Sequence, residues 1–209
     1  MSAAQFVDTL PDIETLRRRC QSLAVIDAIL CPEWQYRYFS FNASWAQNEM
    51  LGSMRNGEGD DWQILFCPAG AIIKGFVHSS AMAAKCPWPG VLDAVPEELE
   101  RGIQVFPIDQ TTFCLWRETA DTQWKVGDID YPSEYNPDGA DILLPFLDGN
   151  PETYRQWGEE YYGGRLNPQA LEHIYQHAPL NPFVVKSLNK EVQLDEVREE
   201  VQEMGYPVY

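Results

Sequence analysis

WQILFCPAGAIIKGFVH, residues 62–78, decides the fold of this chain. Two apolar runs, about 62–67 and 71–77, flank Pro68, Ala69 and Gly70. Proline and glycine at that spacing make a tight turn between two strands that fold back on each other. A parallel neighbour would need a crossover of about a dozen residues or more, and three residues cannot supply it. The hairpin is therefore the seed of an antiparallel sheet.

Working outward, TTFCLWR (111–117), a loop through Asp121 and QWKVGD (123–128) read as a second hairpin of the same sheet. WQYRYFSF (34–41) is aromatic-rich and alternating, which predicts a strand. Residues 43–54 read as a short helix or an irregular loop, and RNGEGDD (55–61), with two glycines, as a turn. CPWPGVLDAVP (86–96) holds three prolines and reads as a rigid connector, with Pro96 placed to open a short helix. Asn136-Pro137-Asp138-Gly139 is a turn, and ADILLPFL (140–147) suits a buried strand or a short helix equally.

Both ends read as helix. Asp12 is a fair N-cap for the apolar positions Ile13, Leu16, Cys20, Leu23, Ile26, Ile29 and Leu30, and Pro32 stops that helix. From Asn150 the pattern changes. Asn-Pro pairs at 150, 167 and 181 each supply a cap and a first-turn proline, and QLDEVREEVQEMG (193–205) closes with a fourth amphipathic helix. The expected fold is a single α+β domain over 1–209. An N-terminal helix and an antiparallel sheet built from hairpins occupy 1–147, and a helical tail, 148–209, packs on them.

Composition narrows the function. Hydrophobic residues are 44% and aromatics 12%, enough for a real core. The net charge of -17 is uneven: segments 1–30 and 31–90 carry about -1 each, 91–147 carries about -9 and 148–209 about -6. A field of that sign repels nucleic acid and anionic membrane and attracts cations. No apolar run suits a membrane span, and no export signal is visible. Five cysteines without CxxC spacing read as free thiols, so a cytoplasmic location is expected.

No motif of high specificity names a reaction. His173 and His177 are four apart, but HExxH is not met, so no metal is expected. The glycines form no phosphate loop, so no cofactor is expected. His78, beside Ser79 and Ser80, is a weak catalytic candidate, as is Cys67 as a thiol nucleophile. Asp128, Asp130, Glu134, Asp138 and Asp141 form a dense carboxylate group without the calcium-loop order. With Trp88 and Trp124 as aromatic anchors, they are the candidate partner-binding residues.

The fragments SMRNGEGDDWQILF, AIIKGF, TTFCLWR with QWKVGD, and ETYRQWGEEYYG carry a resemblance. In them the chain resembles a family of uncharacterised bacterial single-domain acidic α+β proteins. More distantly it resembles the SMI1/KNR4-like immunity proteins, which also mix an antiparallel sheet with flanking helices. Leu10-Pro11 and Asn56-Gly57 lie farther apart than that group's pattern, so no functional residue carries over. The resemblance implies an immunity-type antagonist of a basic toxin or enzyme. The residues themselves predict an acidic protein-interaction module with a basic protein as partner. The alternative is a small cytosolic enzyme with a cleft near His78.

Overall fold

The computed structural model describes residues 1–105, 107–132 and 135–209. Asp12 accepts the Thr15 N–H at 3.0 Å and so starts helix α1, Ile13–Leu30. Strands β1, Phe39–Ala46, β2, Glu49–Arg55, β3, Asp61–Cys67, and β4, Gly70–Phe76, follow as successive hairpins. Helix α2, Glu100–Gln104, and strand β5, Phe113–Glu118, come next. Helices α3, Ala140–Leu143, α4, Pro151–Tyr162, α5, Pro168–Tyr175, α6, Pro182–Leu188, and α7, Leu194–Glu203, complete the chain. The five strands form one antiparallel sheet in the order β1-β2-β3-β4-β5. The α+β architecture and its antiparallel sheet are as the sequence predicts.

Register explains the two faces. Gly52, Ile64, Ile73 and Leu115 lie in one cross-strand row, and Leu51, Leu65, Ile72 and Trp116 in the next. Side chains alternate across a strand, so the rows face opposite sides. The first row joins the main core beneath α1 and the C-terminal helices. The second joins a smaller core under residues 82–105. Helix α1 is buried on every side from Cys20 to Ile29, because the sheet lies against one flank and α5, α6 and α7 against others. It lies close to the sheet because Gly52 has no side chain: a Cβ there would sit 3.2 Å from the Cys20 Cβ.

The three Asn-Pro pairs act as read. Asn150, Asn167 and Asn181 each accept a main-chain N–H at the helix start, and Gly163 closes α4 in the left-handed conformation. Residues 140–147 are helical, with Leu143, Leu144 and Leu147 on the core side.

Three elements differ from the sequence reading. Trp34–Tyr36 is a single 3-10 turn, and the strand starts only at Phe39. Asp27 sets that start by accepting the Tyr38 and Phe39 N–H groups, both at 2.8 Å. Residues 43–54 are not helix or loop but the end of β1, a two-residue turn and β2. Asn48 makes the turn at φ 60°, which asparagine tolerates. Residues 123–128 reduce to one bridge, Lys125 against Trp116, because the chain then bends away at Gly127 to pack on Gly90. Among the described residues no helix is long and apolar enough to cross a membrane.

Asp27 generates a prediction. Its buried carboxylate also accepts the Tyr154 hydroxyl at 2.5 Å, which ties α1 to β1 and α4. Burial raises its pKa from 3.8 to about 6, against the lowering effect of these donors. A raised folded pKa gives stability that is present below the unfolded value and lost as pH rises through the folded one. The Asp27 contribution should therefore fall by about 3 kcal/mol between pH about 4 and about 7. D27A strands three donors and should cost about 3–5 kcal/mol. D27N can still accept both main-chain N–H groups while Tyr154 turns acceptor, so it should cost less and erase the pH-dependent fall. Urea unfolding of the three proteins at the two pH values measures this.

Candidate interaction surface

The acidic segment is divided by the fold. Asp128 and Asp130 are exposed, and with exposed Asp93 they form no ion pair or side-chain hydrogen bond among the described residues. They sit on two loops pressed together. The Trp88 indole Nε1–H donates to the Asp130 carbonyl at 3.0 Å. Gly90 takes φ 90°, and a Cβ on it would strike the Asp128 carbonyl. Only glycine permits both that conformation and that approach. Trp88 itself is half-buried against the smaller core, so its indole has a fixed edge toward solvent.

The other predicted binding residues are elsewhere or otherwise engaged. Glu134 lies outside the described residues. Asp138 is fully buried; its carboxylate accepts the Ala3 N–H at 2.7 Å and the Ala140 N–H at 3.0 Å, and burial raises its pKa. It ties the N-terminus to α3 and presents no contact surface. Asp141 is only partly exposed and pairs with the Met1 amino group at 2.8 Å. Trp124 is buried, and its Nε1–H donates to the Pro11 carbonyl at 2.7 Å. As the chain folds, Trp124 is a core residue and cannot be an anchor. An NPDG turn and a tryptophan in a polar loop both look like surface in sequence, but long-range partners draw them in.

The catalytic candidates do not meet. Cys67 pairs with Gly70 at the turn end of the β3–β4 hairpin, whereas His78 follows the opposite end, where Asp61 pairs with Phe76. Six residues of strand separate the ends by about 20 Å, so the thiol and the imidazole cannot act together. His78 instead has Asp60: its Nδ1 is 2.6 Å from Asp60 Oδ1, and its main-chain N–H donates to the same oxygen at 2.8 Å. Asp60 is buried and also accepts from Asn56 Nδ2 at 2.9 Å, so the group clamps the β2–β3 turn onto the end of β4. The histidine side chain is 53% exposed.

His173 and His177 also diverge. His173 Nε2 lies 2.9 Å from the Pro179 carbonyl, and His177 Nε2 lies 3.1 Å from Gln21 Oε1. Burial and the nearby Arg18 and Arg17 lower the His177 pKa to about 4. Among the described residues no three His, Cys, Asp or Glu side chains are grouped to hold a metal ion. All five cysteines are free.

A cleft of about 580 Å³ runs beside β1, between Trp34, Trp45 and the α7 residues Glu200 and Glu203. The sequence reading missed it. The signal was present: Ser40, Asn42 and Ser44 alternate with Phe39 and Phe41, which marks a strand with one wet face.

No family model, no curated protein and no solved structure matches this chain.

Two aspartates of one acidic stretch should thus behave oppositely. D138A should cost about 2–4 kcal/mol and expose residues 1–10 to limited proteolysis, because two buried N–H donors lose their acceptor. D128K with D130K should leave the unfolding midpoint within about 0.5 kcal/mol, since both side chains are solvated and unpaired.

Proposed function

We propose that this protein is an acidic interaction module that captures a basic protein, an immunity-type antagonist of a basic toxin or enzyme in the cytoplasm. The observation that carries the reading is the paired loop surface. Asp93, Asp128 and Asp130 stand exposed and unneutralised around the fixed indole of Trp88. Their charge adds to a molecule of net -17. Such a field accelerates encounter with a cationic surface, and Trp88 offers an apolar contact once the partner arrives. The same field opposes binding to nucleic acid or anionic lipid. The resemblance to immunity proteins agrees with this reading but supplies no residue for it.

The rival reading is a small enzyme using His78 as a base. In its favour, Asp60 orients the imidazole as a third group orients a catalytic base. Against it, the imidazole is largely open to solvent and Cys67 is at the far end of the hairpin.

A pull-down from the native cell should recover a basic partner, and association kinetics at two salt concentrations then test the mechanism. The on-rate should fall as salt rises. D128K with D130K should slow association roughly tenfold at low salt and change dissociation far less. W88A should mainly speed dissociation. Unchanged association after the charge reversal, or acidic partners alone, would leave the aspartates as a solubilising surface.

A further inference from the structure

We infer that the open edge of β1 is a second docking site, which takes up an extended basic segment of a partner protein as a sixth strand. This goes beyond the loop surface and does not depend on it. The two sites lie toward opposite edges of the sheet, whose outer strands are four spacings of about 4.8 Å apart.

The two edges differ. Beyond β5, Lys125 and Trp116 exchange N–H···O bonds of 2.7 and 3.0 Å, a bridge that occupies that edge at one position. Among the described residues no such bridge lies beyond β1. The Arg55 N–H donates to the Tyr38 carbonyl at 2.9 Å, so Tyr38 faces β2, as do Ser40 and Asn42 two and four residues on. Phe41, between them, therefore turns its main-chain N–H and C=O groups outward, to the cleft side, and Ala43 follows at the start of the irregular stretch. A row of unpaired groups of this kind is a template for another strand. The irregular register between Asn42 and Ala46 ends the template.

The cleft walls are prepared for a particular occupant. Trp34 is 57% exposed, yet it is fixed: the Arg55 guanidinium lies 4.0 Å over its ring and donates to its carbonyl at 2.9 Å. Trp45, 44% exposed, also lines the cleft. The opposite wall is α7, whose Glu200 and Glu203 line the cleft and whose Glu196 borders the next one. Glu196, Glu200 and Glu203 follow one helix face over about 10 Å, the length of three extended residues. Glu200 is paired with buried Arg37, while Glu196 and Glu203 have no ion pair among the described residues. The only basic residue of α7, Arg198, is held by Asp195 and the Tyr209 carbonyl. A second copy of this chain would bring the same carboxylates against their own image, so charge disfavours it. Lys or Arg at alternate positions of an extended segment would meet the glutamates, and its intervening side chains would meet the tryptophans.

The test uses the full chain and a labelled octapeptide of alternating valine and lysine, (Val-Lys)4, read by fluorescence anisotropy. It should bind at least tenfold tighter than (Val-Glu)4. Two further peptides carry N-methyl groups on the valine amides or on the lysine amides. The lysines must face α7, so only one set of amides points at β1. One methylated peptide should lose at least tenfold in affinity and the other should retain it. Equal binding by both methylated peptides would overturn strand addition, whatever the charge effect. Glu203→Lys should weaken binding at least fivefold, while D128K with D130K should not, which separates this site from the loop surface. In amide hydrogen exchange, Phe41 and Ala43 should gain protection on binding. Protection confined to residues 88–130 would overturn the proposal, and so would sedimentation showing that the edge is already closed by a dimer of this chain.

Discussion

The Asp27 carboxylate is the constraint on which the rest of the structure hangs. It lies in the last turn of helix α1, which is buried on every side there, a place where a charge is costly unless it is fully partnered. Its three donors come from the first residues of the sheet and from α4. One oxygen fixes where β1 begins, and the other fixes the first C-terminal helix. Around it Tyr38, Phe39, Phe146, Tyr154 and Trp157 pack edge to face or tilted, with centroids 4.5–6.0 Å apart. The aromatic cluster excludes water from the carboxylate, and the carboxylate gives the cluster one geometry. Without it, helix, sheet and tail would share only apolar contact, which has no direction.

Much of the fold is legible because its signals are local. A proline-glycine turn between apolar runs and an asparagine-proline pair at a helix start act within a few residues, and each appears where expected. The β1–β2 hairpin lacks such a signal. Its turn is Gln47-Asn48, with neither proline nor glycine, and Gly52 interrupts the alternation of β2 for the sake of α1. Trp34 to Tyr36 share the aromatic character of the strand that follows, and composition alone cannot place the boundary that Asp27 imposes from elsewhere in the chain. The 123–128 segment fails as a strand for a similar reason, since Gly127 answers to Gly90 rather than to β5.

The candidate site is legible only in part, because residue type does not reveal burial. Asp128 and Asp138 look alike in sequence. One is solvated, and the other is enclosed by Ala3 and Ala140 from two different parts of the chain. Trp88 and Trp124 divide in the same way. His78 stands beside two serines in sequence, yet its partner is Asp60, 18 residues earlier across the hairpin. The β1 cleft combines residues 34–53 with 200–204, a juxtaposition that follows from α7 packing and from no local pattern.

Charge pairing then explains why both surfaces stay acidic. The chain has 15 basic residues against 32 acidic ones, and several of the basic ones are committed locally. Arg17 pairs with Glu14, Arg155 with Glu152 and Glu159, and Arg198 with Asp195, each within its own helix. Lys74 is buried and donates to the Ile103 and Pro107 carbonyls, where it holds the segment over the smaller core. Local pairs of this kind add little stability and leave the acidic excess as it is, with each cation held beside its own carboxylate. What remains at the 88–93 and 127–130 loops, and at Glu196, Glu199 and Glu203 of α7, is carboxylate with no ion pair among the described residues. Self-repulsion there works against the folded state. A cationic partner would relieve it at either surface, so the same imbalance that costs the free protein stability favours the bound one.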